Sequence, residues 1–114
     1  MDNYLTSQES KHDVDKLLTE ASIVGNAKCP QNIDSDTRLD SVKYRNGSIN
    51  YNFTINVIGA NVDTIVFQSK MKVALLADLP KNNLYYLMKE NGIDLNYFYF
   101  DKDGKYICRV HLLL

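Results

Sequence analysis

The sequence predicts an α+β domain in which two β-hairpins form a four-stranded antiparallel sheet and helices pack on one face of it. Three observations predict this fold. Apolar and polar residues alternate strictly in SINYNFTINV (residues 48–57), as in a strand with one dry and one wet face. Asn46-Gly47 precedes this strand and suits a type I′ turn, so TRLDSVKYR should pair with it. Helical spacing of apolar residues on both sides of this hairpin supplies the covering layer.

Composition limits the classes of function. The 114 residues have room for one domain, residues 1–114, and 45% hydrophobic residues suffice for its core. The 13 basic and 14 acidic residues are scattered and give a net charge of -1, so we expect no nucleic-acid partner. No apolar run approaches the roughly 20 residues of a transmembrane helix, and MDNYLTSQES lacks the features of a leader. The localisation stays open between the cytoplasm and, if a leader was removed, the bacterial envelope.

The two cysteines define no site. Cys29 and Cys108 would close a long loop as a disulfide in an oxidising compartment, or stay separate thiols in a reducing one. Neither lies in a C-x-x-C pair, and together with His12 and His111 they lack the spacing of a zinc site. We therefore expect neither a metal nor another cofactor.

The first half of the chain reads as helix, loop and hairpin. Thr6 and Glu9 have capping-box spacing, and a helical apolar pattern predicts a helix over about residues 7–23, with Gly25 and Asn26 at its end. AKCPQNIDSD (residues 27–36) reads as a loop. The first hairpin should comprise Thr37–Tyr44 and Ser48–Ile58.

Two helices should follow, then a second hairpin. Asn61 is a plausible N-cap for a helix within residues 62–79, whose predicted apolar stripe is Val62, Ile65, Val66, Ser69, Val73 and Leu76. Leu79-Pro80 ends it, and Lys81–Asn91 reads as a shorter helix with Leu84, Leu87 and Met88 inward and Gly92 as its stop. The apolar runs around Asp101–Gly104 form the second hairpin. DKDG lacks the remaining ligands of a calcium loop and is interpreted as a turn.

The second hairpin has aromatic residues on both faces. One face should belong to the core, and the other is either covered by the same chain or exposed to a partner. We treat this hairpin as a candidate surface for an unknown protein partner or a homodimer, with the residues Tyr97, Phe98, Tyr99, Phe100, Tyr106, Arg109 and His111.

Four charged residues recur at a spacing of two: Asp34, Asp36, Arg38 and Asp40. On an extended segment they share one side. This pattern fits a carboxylate pair for acid-base chemistry, and it equally fits a salt-bridged strand entry. No nucleophile elbow or glycine-rich phosphate loop accompanies the cluster.

The segments CPQNIDSDTRLDSV, INYNFTI and LYYLMKENGIDLNYFYFDKDGK resemble a family of small bacterial proteins of unknown function. The resemblance rests on P-x-x-x-D-x-x-T-R-L-D-S-V, beginning at Pro30, and on G-x-x-x-x-Y-x-Y-x-D-x-x-G, from Gly92 to Gly104. It implies an envelope location but no activity. A cysteine that is typical of the family near the second pair of helices is missing here.

These features together favour a non-enzymatic domain that acts through protein contacts. The alternative is a small-ligand-binding domain or a weak hydrolase that uses the Asp34–Asp40 cluster. A contact domain should expose an aromatic patch, whereas a ligand-binding or catalytic domain should gather the acidic cluster in a concave site.

Overall fold

A computed structural model describes the backbone of residues 7–114 and the side chains of residues 11–114. In this part the chain forms, in order, α1 (Ser7–Ala27), β1 (Gln31–Asn32), β2 (Thr37–Arg45), β3 (Ser48–Ile55), α2 (Thr64–Asp78), α3 (Tyr85–Glu90), β4 (Asp94–Phe100) and β5 (Tyr106–Leu113). Short 3-10 turns lie at Gly59–Asn61 and Leu79–Lys81. The α+β class is confirmed. Thr6 of the predicted capping box lies outside the described residues, as does the side chain of Glu9.

The sheet has five strands in the order β1-β2-β3-β4-β5, and β3 and β4 run parallel. The prediction of four antiparallel strands is therefore wrong in two respects. β1 is only two residues long and exposed, so it has no detectable sequence pattern. The parallel pair arises because α2, about 22 Å long at 1.5 Å per residue, carries the chain back along β3 before β4 begins.

The first hairpin has the predicted turn. Asn46 and Gly47 both have positive φ, 49° and 81°, as a type I′ turn requires. Antiparallel pairing places Val42 opposite Tyr51 and Leu39 opposite Phe53, with a register shift between Leu39 and Ser41. One face of the hairpin consequently enters the core.

The core lies on the face of the sheet that the helices contact. The parallel register pairs Tyr51 with Tyr97 and Phe53 with Tyr99. The paired rings stack with centroids 4.7 Å and 5.2 Å apart, and Phe67 of α2 meets Tyr99 edge-on at 5.0 Å. Ring pairs of this kind contribute about 0.5–1.5 kcal/mol each beyond their buried area. The stack therefore joins the two hairpins into one sheet.

The predicted inward stripe of α2 is wrong. Ile65 and Val73 are 74% and 70% exposed, whereas Phe67, Met71 and Leu75 pack on the core. α2 is apolar on two opposite sides, and its periodicity alone does not choose between them. Its N-cap is Asp63 and not Asn61, because the Asp63 carboxylate accepts a hydrogen bond from the Val66 N–H at 3.1 Å.

The remaining helical segment is shorter than predicted. After α2 the chain forms the 3-10 turn at Leu79–Lys81. Asn82 is extended and interrupts the helical conformation, so α3 begins only at Tyr85. Met88 is buried, Leu84 and Leu87 are partly buried, and Gly92 follows with a φ of 58°. The inward residues and the glycine stop are therefore as predicted.

The two cysteines are not bonded to each other. Cys108 is buried on β5, and Cys29 precedes β1, so the two thiols lie towards opposite edges of the sheet. Four interstrand spacings of about 4.8 Å separate those edges, far more than a disulfide spans.

Asp101 fixes the turn of the second hairpin. Its carboxylate is 3% exposed and accepts hydrogen bonds from the backbone N–H groups of Lys105 (2.8 Å), Asp103 (2.9 Å) and Gly59 (3.2 Å). A Cβ on Gly59 would lie 2.9 Å from this carboxylate. DKDG is thus a turn docked against the segment after β3, and not a cation loop.

This anchoring predicts a pH-dependent contribution to stability. The hydrogen bonds, first that from Lys105, lower the pKa of Asp101 below 3.8. The contribution is therefore present above pH 3.8 and lost as the pH falls through the lowered folded pKa. We expect Asp101→Asn to reduce the free energy of unfolding at pH 7, with the difference from the wild type shrinking at strongly acid pH. Urea unfolding at both pH values measures this.

Asp103→Asn is the matched control, because the Asp103 side chain is exposed and takes part in none of these hydrogen bonds. An equal loss of stability in both variants, or a loss independent of pH, would contradict the anchoring role of Asp101.

Candidate functional site

The helices leave a groove on the core face of the sheet. α1 packs over β2 and α2 over β5, so the surface between them is only partly covered. Two adjoining cavities of about 240 Å³ and 460 Å³ share Leu39, Tyr51 and Asn82 and form one furrow. We call this furrow the interhelical groove.

The floor of the interhelical groove is aromatic and its walls are aliphatic. Tyr51, Phe53, Tyr97 and Tyr99 form the floor below α2. The α2 wall is Met71, Ala74 and Leu75, and Leu18, Ala21 and Gly25 form the α1 wall. Ile33, which is 53% exposed, and the acidic residues Asp34 and Asp78 also line it. A ligand bound here would contact a mainly apolar surface and the carboxylates of these two residues.

Three tyrosine hydroxyls belong to the groove floor. Within residues 11–114 the hydroxyls of Tyr51, Tyr97 and Tyr99 have no hydrogen-bond partner, and the Tyr97 and Tyr99 residues are buried. Burial of the rings raises the pKa of all three above the ordinary 10.0, most strongly for Tyr97 and Tyr99. They are neutral donors and acceptors that a bound molecule could use.

The predicted partner surface is divided between the two faces of the sheet. Tyr97 and Tyr99 are 7% and 1% exposed and face the core. The side chains on the opposite face are Phe98, Phe100, Tyr106, Arg109 and His111. We call these five residues the outer cluster.

The outer cluster lies on a sheet face that no helix within residues 7–114 covers, because the helical residues that pack on the sheet contact its other side. Phe100 meets Tyr106 edge-on at 5.8 Å, and Phe98 lies opposite Arg109. His111 Nε2 is 3.2 Å from a carboxylate oxygen of Asp94.

Apart from Leu113, which pairs with Asp94, the rest of this outer face is polar. Side-chain hydrogen bonds join Asn52 to Ser41 at 2.9 Å and Asn96 to Asn50 at 3.1 Å. By register the face carries four basic and two acidic residues: Arg38, Lys43, Arg45 and Arg109 against Asp40 and Asp94. The outer face is thus positively charged, although the chain as a whole has a net charge of -1.

The acidic cluster is divided as well. Arg38 donates to one carboxylate oxygen of Asp40 at 2.5 Å, and Thr54 Oγ1 donates to the other at 2.5 Å. These contacts are those of a salt-bridged strand. Asp34 accepts the Asp36 N–H at 2.8 Å. Asp34, Asp36 and Arg38 also line a shallow polar depression of about 270 Å³, which Lys102 reaches.

A larger cavity than those of the groove lies elsewhere. About 780 Å³ is enclosed by polar and apolar residues from α1, the β2–β3 turn and the start of β4. Here the Tyr44 hydroxyl donates to Asp15 and accepts the Gly47 N–H at 3.1 Å. These contacts hold the first hairpin to α1. Among the described residues no group of His, Cys, Asp and Glu could hold a metal ion, and no helix has the length and hydropathy of a membrane span.

Sequence reasoning missed the interhelical groove. Its residues come from all three helices, from strands of both hairpins and from the loops between them, which only folding brings together. The wrong stripe on α2 concealed the wall formed by Met71 and Leu75. The exposed Ile33, an isolated apolar residue in a polar loop, is the one local signal that could have indicated it.

A mixed five-stranded sheet with helices on one face defines a class of small α+β domain, and solved structures share this fold. The pilotin EpsS of the Vibrio vulnificus type 2 secretion system aligns with a TM-score of 0.71 at 8% identity, over 93% of each chain. The type II secretion system pilotin AspS of Vibrio cholerae aligns at 0.65 and 11% identity, over 92% of this chain and 93% of the other. A candidate secreted protein of Pseudomonas aeruginosa, PA3611, aligns at 0.65 and 11% identity, over 96% and 95%.

The chain belongs to the family described as a domain of unknown function, DUF8479, whose sequence profile matches residues 13–108. A search of curated proteins finds no significant match. The likeness to the three solved structures, all near 10% identity, shows a shared fold.

The raised pKa of the groove tyrosines predicts a late step in alkaline titration. The neutral forms of Tyr51, Tyr97 and Tyr99 are favoured in the folded state, so stability that depends on them is present below pH 10 and lost as the pH rises above it. We expect absorbance at 295 nm to show tyrosines that ionise only as the protein unfolds, and Tyr97→Phe to reduce the amplitude of that step. Ionisation of all eight tyrosines near pH 10 would contradict this burial.

Proposed function

We propose that this chain is a non-enzymatic protein-interaction domain of the bacterial envelope, and that its interhelical groove binds an amphipathic segment of another protein. The observation that supports this most directly is the groove itself. Its floor is a stack of four aromatic rings, of which Tyr51 is partly buried and the other three are buried at the bottom of the furrow. Concave apolar surfaces of this kind are preferred sites for a partner.

The shape and charge of the groove favour a helical partner. The groove lies between two helices, so a third helix could lie in it. An amphipathic helix can bury its apolar face in such a furrow. Asp34 and Asp78 line it and would attract basic residues beside that face. The tyrosine hydroxyls of the floor can bond to polar groups that the segment brings with it.

The envelope location is supported by the fold. The aligned structures include two pilotins of type II secretion systems and a candidate secreted protein. By analogy of fold, we propose that this chain works in the same compartment and that its partner belongs to an assembly there.

The outer cluster is proposed as a second contact surface. Phe98, Phe100 and Tyr106 form an aromatic patch on a mostly polar and positively charged face. Two copies placed face to face would bring their basic residues together, so we favour an acidic partner protein over a homodimer.

A small-ligand site or weak hydrolase at Asp34, Asp36, Arg38 and Asp40 is the second candidate. The polar depression beside them favours it. Asp40, however, is already bound to Arg38 and Thr54, so an acid-base role would require breaking both contacts.

The groove proposal predicts different behaviour for two alanines of α2. Ala74 lines the groove and Ala77 does not. With a photo-crosslinking residue at either position in the native host, we expect a defined protein to be captured from position 74 and not from position 77. In binding assays with the captured segment, Ala74→Glu should weaken the affinity at least about tenfold, equivalent to about 1.4 kcal/mol, because it places a charge against apolar surface.

Ala77→Glu is the matched control and should bind like the wild type. Equal capture from both positions, or equal loss of affinity in both variants, would contradict a partner site in the groove.

The charge of the outer face predicts a monomer. Light scattering after size exclusion should give the mass of one chain at low salt even at high protein concentration, because repulsion between the basic residues is least screened there. A stable dimer at low salt, abolished by Phe98→Ser with Tyr106→Ser, would show instead that the outer cluster pairs two copies.

A further inference from the structure

The side of α2 that faces away from the groove is apolar and exposed. Ile65, Val73, Val66 and Leu76 are 74%, 70%, 47% and 47% exposed, and they follow one another along the helix at helical spacing. With Ser69 among them they form what we call the outer α2 stripe. A helix that packs on its own core through Phe67, Met71 and Leu75 does not need a second apolar side for folding.

The charged residues along α2 indicate which kind of partner could bind this stripe. Between Thr64 and Ala77 the charged residues are Lys70 and Lys72, which flank the stripe on its two sides. The acids lie only at the ends, where Asp63 caps the first turn and Asp78 is 3.3 Å from Lys81. The body of the helix is therefore cationic beside an apolar strip.

We propose that the outer α2 stripe docks on an anionic lipid surface. Apolar side chains would enter the boundary between headgroups and acyl chains, and Lys70 and Lys72 would extend to the headgroups beside them. This inference goes beyond the proposed partner-binding function and rests on different residues.

A lipid surface fits this stripe better than a second protein does. Stable protein interfaces use roughly 20–30 residues a side with close shape complementarity, whereas the stripe is a narrow strip of five residues on one helix. A second copy would also oppose lysine to lysine. A bilayer needs no matching shape and supplies the negative charge.

The position of α2 is compatible with such docking. Gln68 Nε2 donates to the backbone carbonyl of Arg109 at 3.0 Å, and this holds the helix at the β5 edge of the sheet. Since the stripe and the groove lie on opposite sides of α2, docking would leave the groove open to its partner.

Co-sedimentation of the full chain with vesicles tests the proposal. We expect binding to vesicles of equal parts phosphatidylglycerol and phosphatidylcholine, much weaker binding to pure phosphatidylcholine, and a decrease with added salt. Ile65→Ser with Val73→Ser should reduce binding to the anionic vesicles at least tenfold, and Lys70→Gln with Lys72→Gln should remove the preference for anionic lipid.

Ile23→Ser with Val24→Ser on α1 is the matched control, because those residues are 63% and 59% exposed and lie outside the stripe. It should bind like the wild type, and circular dichroism should show all variants folded. Absence of binding to anionic vesicles at low salt overturns the proposal, as does an equal loss in the α1 variant. Ala74→Glu, which should weaken binding of a partner to the groove, should still bind vesicles. The two proposals can therefore fail independently of each other.

Discussion

The in-register parallel pairing of β3 with β4 is the constraint on which the rest of the structure depends. It places Tyr51 beside Tyr97 and Phe53 beside Tyr99, so the four rings stack across the middle of the sheet. A shift of β3 by one residue would replace Tyr51 and Phe53 on this face by the asparagines and threonine that alternate with them, because neighbouring side chains point to opposite faces. The two hairpins thus form one sheet only in this register.

The same pairing decides where the helices lie. Two parallel strands need a crossover, and here the crossover contains α2 and α3. α2 packs against β5, while α1 is held over β2 by contacts such as that between Tyr44 and Asp15. With the two long helices at opposite sides of one face, a furrow remains between them above the stacked rings. The interhelical groove is therefore a consequence of topology and not of any local motif.

Local features of the sequence predicted local structure well. Alternation over residues 48–57 and the Asn46-Gly47 turn identified the first hairpin, because strand facing and turn type depend on neighbouring residues. The parallel pairing depends on contacts between segments about 46 residues apart, which periodicity does not report. On α2 the residues Phe67, Met71 and Leu75 compete with Ile65, Val73 and Leu76, and only the tertiary contact of Phe67 with Tyr99 decides which side is buried. The groove and the division of the predicted partner surface between two faces follow from those non-local choices.

The three candidate contact surfaces point in different directions because α2 and the sheet each have two sides. The groove uses the inner side of α2 and the inner face of the sheet, the outer cluster uses the opposite sheet face, and the outer α2 stripe points away from both. Their charges also differ, since Asp34 and Asp78 line the groove while lysines flank the stripe and basic residues dominate the outer face. A basic amphipathic segment would accordingly be drawn to the groove and repelled by the other two surfaces, so one small domain can contact chemically distinct partners without competition between them.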